Sequence, residues 1–449
     1  MSQTSPVSLH ELAKLDDDQR RALLIRNAAD LTGVIERVEP IIEAVREQGD
    51  EALARFALEF DGAPLDAREI AATEAEFDQA FEALDPALIE AIEFAIDNIR
   101  RFHQVQKPAG LGFHEIRPGA FVGERYGPIP SVACYVPRGK GSFPSVLMMT
   151  TVPAVVAGVP RIAVVTPPGP DAKVDAACLV AARLAGVRHV YKCGGAQAVA
   201  AVAYGTQTVP KFDKIVGPGS PYLMAAKRLL ADVIDPGTPA GPSEAIVLAD
   251  RTANPRVAAL DIIIESEHGP DSSAYLVTDS RRVAEAAGAA IPEFWRHMGA
   301  ERVAYSSTVL GGDQGGIVLA PDMAEAIAFV NDYAPEHLEI LSDEPFAYLA
   351  AIVNAGEILL GEHTPLTLGN FVLGPNAVLP TSGAAKTASP LSVFDFMKSS
   401  SVAYVTASGY GALAKQARVL AEYEGFDGHA NAVSSLRDEV MAGDRKDRR

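Results

Sequence analysis

A carboxylate followed directly by an imidazole, in Asp332-Tyr333-Ala334-Pro335-Glu336-His337-Leu338-Glu339, is the arrangement in this chain best suited to moving protons. Histidine has a free pKa of ~6.5, so it takes and returns protons near neutrality, and a neighbouring carboxylate can handle a second proton or a water molecule. The same adjacency on an exposed loop is merely solvated, so the pair acquires meaning only from partners. A second candidate pair lies where Asn254-Pro255 opens a helix and Gly269-Pro270 stops it: Glu265 and His268 are three apart, which places both on one face near the helix end. Carboxylate and imidazole suit zinc, which usually takes three or four ligands, while the plainer alternative is that His268 caps the helix end. Asn370, in Leu368-Gly369-Asn370-Phe371, and His429, in Asp427-Gly428-His429-Ala430-Asn431, sit in polar turns and could complete a ligand set, although spacing alone selects neither.

Two glycine-rich turns could hold an anion. Asp213-Lys214-Ile215-Val216-Gly217-Pro218-Gly219-Ser220 reads as a strand entering a turn, with a helix opening near Pro221 whose free N–H groups can meet phosphate. The dinucleotide fingerprint wants a third glycine where Tyr222 stands, so the match is incomplete. Lys192-Cys193-Gly194-Gly195-Ala196-Gln197 repeats the design one unit earlier; either segment is equally compatible with an ordinary tight turn. Arg138 and Lys140, in Val136-Pro137-Arg138-Gly139-Lys140-Gly141, put two cations on a loop leading to Ser145, as the rim of an anion pocket or as a solvated edge.

The elements that must position these residues follow from pattern. Residues 9 to 60 and 74 to 106 carry helical periodicity, with Phe77, Phe81, Leu84, Leu88, Ile92 and Ile99 on one stripe. From about residue 130, short β-branched runs (131–136, 162–165, 189–191) alternate with Ala-rich helical stretches (144–157, 172–185, 196–204), the signature of βαβ units. A second series begins near 243, with strands at 245–248, 274–278 and 357–360 and helices at 255–267, 280–295 and 322–332. The expected fold is α/β: two tandem Rossmann-like modules joined by the Gly- and Pro-rich loop 235–243, with a charged helical stretch over 408–440.

At 449 residues the chain exceeds one core's usual size of ~250 to 300. Its 39 Lys+Arg against 58 Asp+Glu give a net charge of −19, which argues against nucleic acid or an anionic membrane as partner. The apolar region 146–168 is interrupted by Pro153, Pro160 and Arg161, so it is a buried helix and strand rather than a membrane span. No secretory signal is read at the N-terminus, and a cytoplasmic location is the expectation. Cys134, Cys178 and Cys193, widely spaced among apolar neighbours, read as buried inert thiols.

Taken in order, Gly194-Gly195-Ala196-Gln197-Ala198 with Tyr204-Gly205-Thr206, Lys214-Ile215-Val216-Gly217-Pro218-Gly219, Ala240-Gly241-Pro242-Ser243-Glu244, Glu267-His268-Gly269-Pro270-Asp271-Ser272 and Ala334-Pro335-Glu336-His337-Leu338, with His429 near the end, resemble histidinol dehydrogenases over almost the whole chain. The resemblance implies two incomplete Rossmann-like domains with small helical terminal segments, divided as 1–30, 31–134 with 243–391, 135–242, and a dimerisation segment 392–449. It also implies a domain-swapped homodimer, one zinc per subunit, and oxidation of a primary alcohol through the aldehyde to an acid with two NAD. In the same terms, His337 is the base and Glu336 activates water. Tyr135, Gln197 and Ser220 fall on the NAD side, Ser145, Ser243, Asn370, Glu424 and His429 face substrate, and Glu265, His268, Asn370 and His429 hold the metal.

This chain departs from the family pattern at defined places. The family's ligands are Gln, His, Asp and His, so Glu265 and Asn370 exchange a charge between two positions and leave the total unchanged. Ser220 stands for Asn, Phe371 for Tyr, and Ala377 for a substrate-facing His. Loss of that His, together with Arg138 and Lys140, points to a small anionic alcohol and to the relatives that oxidise dihydroxypropanesulfonate to sulfolactate. Histidinol itself is the alternative substrate, and a non-catalytic metal or nucleotide binder a remote third reading.

Overall fold

The computed structural model describes residues 7–26, 31–138, 141–238 and 240–447, so Lys140 lies outside the described residues. Its strands are β1 (Leu9–Glu11), β2 (Leu111–Arg117), β3 (Ala120–Pro128), β4 (Ser131–Tyr135), β5 (Arg161–Thr166), β6 (His189–Lys192), β7 (Lys214–Val216), β8 (Glu244–Ala249), β9 (Ser273–Thr278), β10 (Gly315–Leu319), β11 (His337–Leu341), β12 (Glu357–Leu360) and β13 (Met397–Val405). The chain divides into two compact units, Met1–Lys107 with Pro128–Phe396, and Pro108–Gly127 with Met397–Arg449.

The first unit holds two parallel sheets, as the alternation of strands and helices requires. One runs β6-β5-β4-β7 and the other β1-β10-β9-β8-β11-β12. Each is wound outward from its first long strand, β4 or β8, and then reverses, which is the Rossmann-like order. Strands buried on both faces need near-continuous apolar sequence, and Ala245-Ile246-Val247-Leu248 supplies it. In the second unit β2 and β3 pair antiparallel, β13 completes the sheet, and the helices Ala407–Tyr423, Asp427–Ala432 and Ser435–Asp447 follow.

Two parts of the expected organisation differ. The resemblance implies that residues 31–134 belong with 243–391, yet helices Thr32–Gln48 and Asp50–Asp61 share a core with helices Gly195–Tyr204 and Pro221–Leu229, and β4 is an inner strand of the four-stranded sheet. Their apolar stripes pack on those two helices, in the core that also holds Ala133, Tyr135 and Val165 of the four-stranded sheet. At the other end, residues 392–396 stay with the first unit, and the sheet of the second unit draws β2 and β3 from 108–127. The helical pattern over 9–60 also hides β1, which pairs with β10, itself concealed by its glycines.

Local signals place the elements that carry the candidate residues. Asn254 caps helix Pro255–Ser266 by accepting from the Arg256 N–H at 3.0 Å, and Pro255 fills the first turn. Helix Met323–Tyr333 ends on Ala334 in the left-handed region (φ 52°), and Pro335 then turns the chain into β11. A non-glycine residue held there is strained backbone directly before the Glu-His pair. Leu338 and Ile340 anchor β11 on one face with Phe329 and Tyr333, each fully buried aliphatic side chain contributing about 1.5–3 kcal/mol.

Gly217 ends β7 with φ 115°, and a Cβ there would stand 2.2 Å from the Tyr135 carbonyl oxygen. Gly217→Ala therefore meets both strain and a backbone clash, and should lower the unfolding free energy by about 1–3 kcal/mol. An unchanged urea midpoint would contradict that close approach.

Candidate active site

His337 opens β11, paired with Ala245 of β8 on one side and Glu357 of β12 on the other. Its Nδ1 donates to Glu357 Oε2 at 3.0 Å, which leaves Nε2 facing Glu336, 3.9 Å from Oε1. Glu336 Oε2 in turn accepts from the Glu244 N–H at 2.9 Å. Glu244 begins β8 and is itself held: Arg26 Nε lies 3.2 Å from its Oε1, and the Ser382 N–H donates to the same oxygen at 2.8 Å. The Arg26 guanidinium stacks on the Tyr333 ring, 3.3 Å from the centroid, and donates to the Tyr333 carbonyl. The pair expected on a possible loop is instead buried, at 7% and 3% exposure.

Burial and charge set the protonation of the pair. Burial pushes the Glu336 carboxyl up to about 8, against the field of His337 and the N–H of Glu244. For His337 burial alone disfavours the imidazolium, but the Glu357 hydrogen bond and the charges of Glu336 and Glu265 outweigh it and raise the ring to about 9. The centre therefore stores protons near neutrality and becomes a base as the pH rises.

Beside it, helix Pro255–Ser266 delivers Glu265, 1% exposed. Asn370 Nδ2 donates to Glu265 Oε1 at 2.6 Å, and His268 Nδ1 lies 3.2 Å from Oε2 and 3.1 Å from the Ile264 carbonyl. Burial would raise the Glu265 carboxyl, but His268, His337, and hydrogen bonds from Asn370 and Ser243 overcome it and lower it. With Nδ1 so engaged, His268 keeps the Nε2 lone pair for a cation. Carboxylate, imidazole and amide thus lie together, group types that fit zinc, although Asn370 turns its nitrogen and His268 its Nδ1 toward Glu265, so the set is short of a complete cage. Among the described residues no group of three or more His, Cys, Asp or Glu side chains forms one. The structure places Glu424 and His429 in the second unit, both exposed, with the His429 ring 5.3 Å from Phe426.

The other expected residues cluster at the carboxyl ends of β4, β6 and β7. The Tyr135 hydroxyl accepts from the Gly195 N–H at 3.1 Å, and burial raises it to about 12. Gln197 is buried in the first turn of helix Gly195–Tyr204. Ser220 caps helix Pro221–Leu229 through the Leu223 N–H, a structural task that its place in the turn already explains. Buried Lys227 donates to the Gly217 carbonyl at 2.9 Å and pins the turn from beneath. Arg138, exposed, donates to the Lys173 carbonyl at 3.1 Å on this same side, and Ser145 lies in the first turn of helix Pro144–Ala157. The three cysteines are buried, and burial pushes each thiol up, as inert thiols require.

Glu357, Glu244 and Arg26 are the functional neighbours that sequence reasoning missed. The one signal for the two carboxylates is a charge at the head of a buried apolar strand, where nothing but a partner makes it tolerable. Glu357→Gln keeps an acceptor for Nδ1 and removes the charge. It should lower the His337 pKa from about 9 by roughly one unit or more, read from histidine ring signals in an NMR titration, and an unmoved titration would remove Glu357 from this role.

Comparison with known proteins agrees with this geometry. The histidinol dehydrogenase family model matches residues 24–437. A "Histidinol dehydrogenase homolog" of Colwellia psychrerythraea is 59% identical over 443 residues, covering 99% of both chains. A "Histidinol dehydrogenase" of Synechocystis sp. is 46% identical over 423 residues, covering 94% of this chain and 97% of its own. The crystal structure of histidinol dehydrogenase from Elizabethkingia anophelis superposes with a TM-score of 0.91 at 31% identity, covering 98% and 99% of the two chains. With the match spanning nearly all of both parallel sheets and the Glu336-His337 centre, the chain belongs to the histidinol dehydrogenase family.

Proposed function

We propose that this NAD-dependent oxidoreductase acting on CH–OH is zinc-dependent and oxidises a small anionic primary alcohol, of the 2,3-dihydroxypropane-1-sulfonate type, through the aldehyde to the carboxylate. The observation that carries the reaction type is His337, tethered through Nδ1 to Glu357 and left with Nε2 toward Glu336 in a buried site. Hydride departs from a carbinol carbon only as its oxygen loses a proton, and His337 Nε2 is the group to take it. An aldehyde yields no second hydride until water adds, and Glu336 receives the proton of that water while the Glu244 N–H holds its other oxygen. Glu265, His268, Asn370 and His429 would hold zinc, which would supply polarisation of the substrate oxygen, and the Tyr135, Gln197 and Ser220 side would hold NAD, the hydride acceptor. The expected assembly is a homodimer with swapped segments in the cytoplasm, and the net charge of −19 argues against nucleic acid or an anionic membrane as partner. No helix among the described residues is long and apolar enough to cross a membrane.

The substrate class is supported by departures from the family pattern. Ala377 offers no imidazole partner, Arg138 keeps N–H groups beyond the one given to Lys173, and Lys140 adds a second cation to the same loop. Ser145, Ser243 and Glu424 complete the substrate side. Greater identity to the relative called a homolog than to the one named simply as histidinol dehydrogenase points the same way. Histidinol is the second reading, favoured by the intact Glu336-His337 pair.

Purified enzyme with zinc should form two NADH per molecule of dihydroxypropanesulfonate and little with histidinol; the reverse preference overturns the substrate. The rate should climb from pH 7 to about 9 as His337 and Glu336 lose protons, and a rate that falls over that range would contradict the assignment. The hydrogen bond between Glu265 and Asn370 shows the exchanged carboxylate and amide facing each other. Glu265→Gln alone should weaken zinc binding more than Glu265→Gln with Asn370→Asp, and a weaker double variant would refute charge compensation.

A further inference from the structure

Deeper in the same strand lies a carboxyl that the reaction does not use. Side chains alternate along β11, so Glu339 points to the His337 side, toward helix Pro255–Ser266. It is 0% exposed, and neither of its oxygens meets a donor among the described residues. Against it lies Asp261, 5% exposed, whose Oδ2 likewise has no hydrogen-bond partner, and each carboxyl acts directly on the other's protonation, so the two lie within reach of a shared proton. Around them the helix and sheet are apolar, with Ala258, Ile262, Val247 and Leu359 in the same core. Two carboxylates cannot accept from one another, so the contact exists only with a proton between them.

The spacing ties this pair to the candidate active site. Asp261 stands one helical turn before Glu265, and Glu339 stands two strand residues beyond His337. The two pairs are therefore successive rungs between one helix and one strand, and the inner rung includes none of the residues assigned above to metal or substrate. We propose that Asp261 and Glu339 share a single proton as an acid–carboxylate pair, and that this rung fixes helix Pro255–Ser266 against β11 so that Glu265 and His337 keep their separation. Both are positioning residues, and the inference rests on the roles given above to Glu265 and His337.

Burial and charge both disfavour ionisation of the rung. Burial raises Glu339, and the Asp261 charge raises it further; burial raises Asp261, and Glu362 beyond β12 adds to it, against the hydrogen bond from Glu339. His337 on the same strand, with Glu357 on β12 and Glu265 on the helix, forms the outer rung. Because the native pKa of Glu339 lies above its unfolded value of ~4.3, the folded state holds a proton that the unfolded chain releases. Stability linked to Glu339 is thus complete below the ordinary carboxylate range and is lost as pH rises toward the raised value.

Glu339→Gln and Asp261→Asn each leave one donor and one acceptor, whereas Asp261→Leu with Glu339→Leu leaves an apolar contact. In zinc-loaded protein, both amide variants should keep near wild-type kcat with dihydroxypropanesulfonate, and the leucine pair should lose about 10- to 100-fold in kcat or zinc affinity, with KM for NAD unchanged. Wild type should show an infrared band of a buried protonated carboxyl at pH 8 that Glu339→Gln lacks, and Glu339→Gln should lose less stability than wild type between pH 6 and 9. Wild-type kcat and zinc affinity in the leucine pair would overturn positioning, and absence of the infrared difference would overturn proton sharing. If dihydroxypropanesulfonate is not oxidised at all, the substrate reading fails, while zinc affinity and the infrared band still decide the rung.

Discussion

The charge balance at the amino ends of β8, β11 and β12 governs much of this structure. Glu244, Asp261, Glu265, Glu336, Glu339 and Glu357 are all buried there or just below. Unpaired carboxylates in such a place are very costly, so each must find a donor, a cation or a proton. Arg26 and backbone N–H groups serve Glu244, His337 serves Glu357, Asn370 and His268 serve Glu265, and Glu336 and Glu339 are driven toward protonation. An excess of buried negative charge suits both a divalent cation and a strongly basic imidazole. Proton storage and metal affinity are thereby two results of one electrostatic arrangement.

Architecture gives this cluster an unusual address. Parallel α/β sheets generally bind ligands beyond the carboxyl ends of their strands, and the four-stranded sheet does so with Tyr135, Gln197 and Gly217 around its reversal at β4 and β7. The six-stranded sheet instead presents His337, Glu244 and Glu357 at its amino ends. Helix Pro255–Ser266 explains the choice, since it leaves the carboxyl end of β8 and returns Glu265 and His268 to the opposite edge. The strained Ala334 and the Pro335 turn then set Glu336 at that edge, so backbone strain and charge are concentrated together.

Much of this was legible in the residues. Alternating β-branched runs and Ala-rich stretches define the four-stranded sheet and β8, β9 and β12 of the other but leave out β1, β10 and β11, because strand and helix periods are local properties; helix 144–157 has the bounds that its Pro144 and Gly158 suggest. Ownership of the helices was not legible. Residues 32–61 are followed by further helices and a hairpin before either large sheet begins, so chain order does not assign them, and only packing shows that they share a core with the four-stranded sheet. Glu339 was equally opaque, since a glutamate between Leu338 and Ile340 looks like the solvent face of a strand until a helix is found lying over it.

Sequence by itself determined the inventory: an imidazole beside a carboxylate, two glycine turns, and a Glu and an Asn whose charges trade places relative to the family. Chemical identity is carried by side chains, and no fold is needed to see it. Tertiary structure alone decided which of these groups are dry, and dryness is what turns them into a site. It gave His337 its tether in Glu357, set Asn370 against Glu265, and hid a carboxyl pair one rung below, because strands far apart in the chain meet only when the sheet forms.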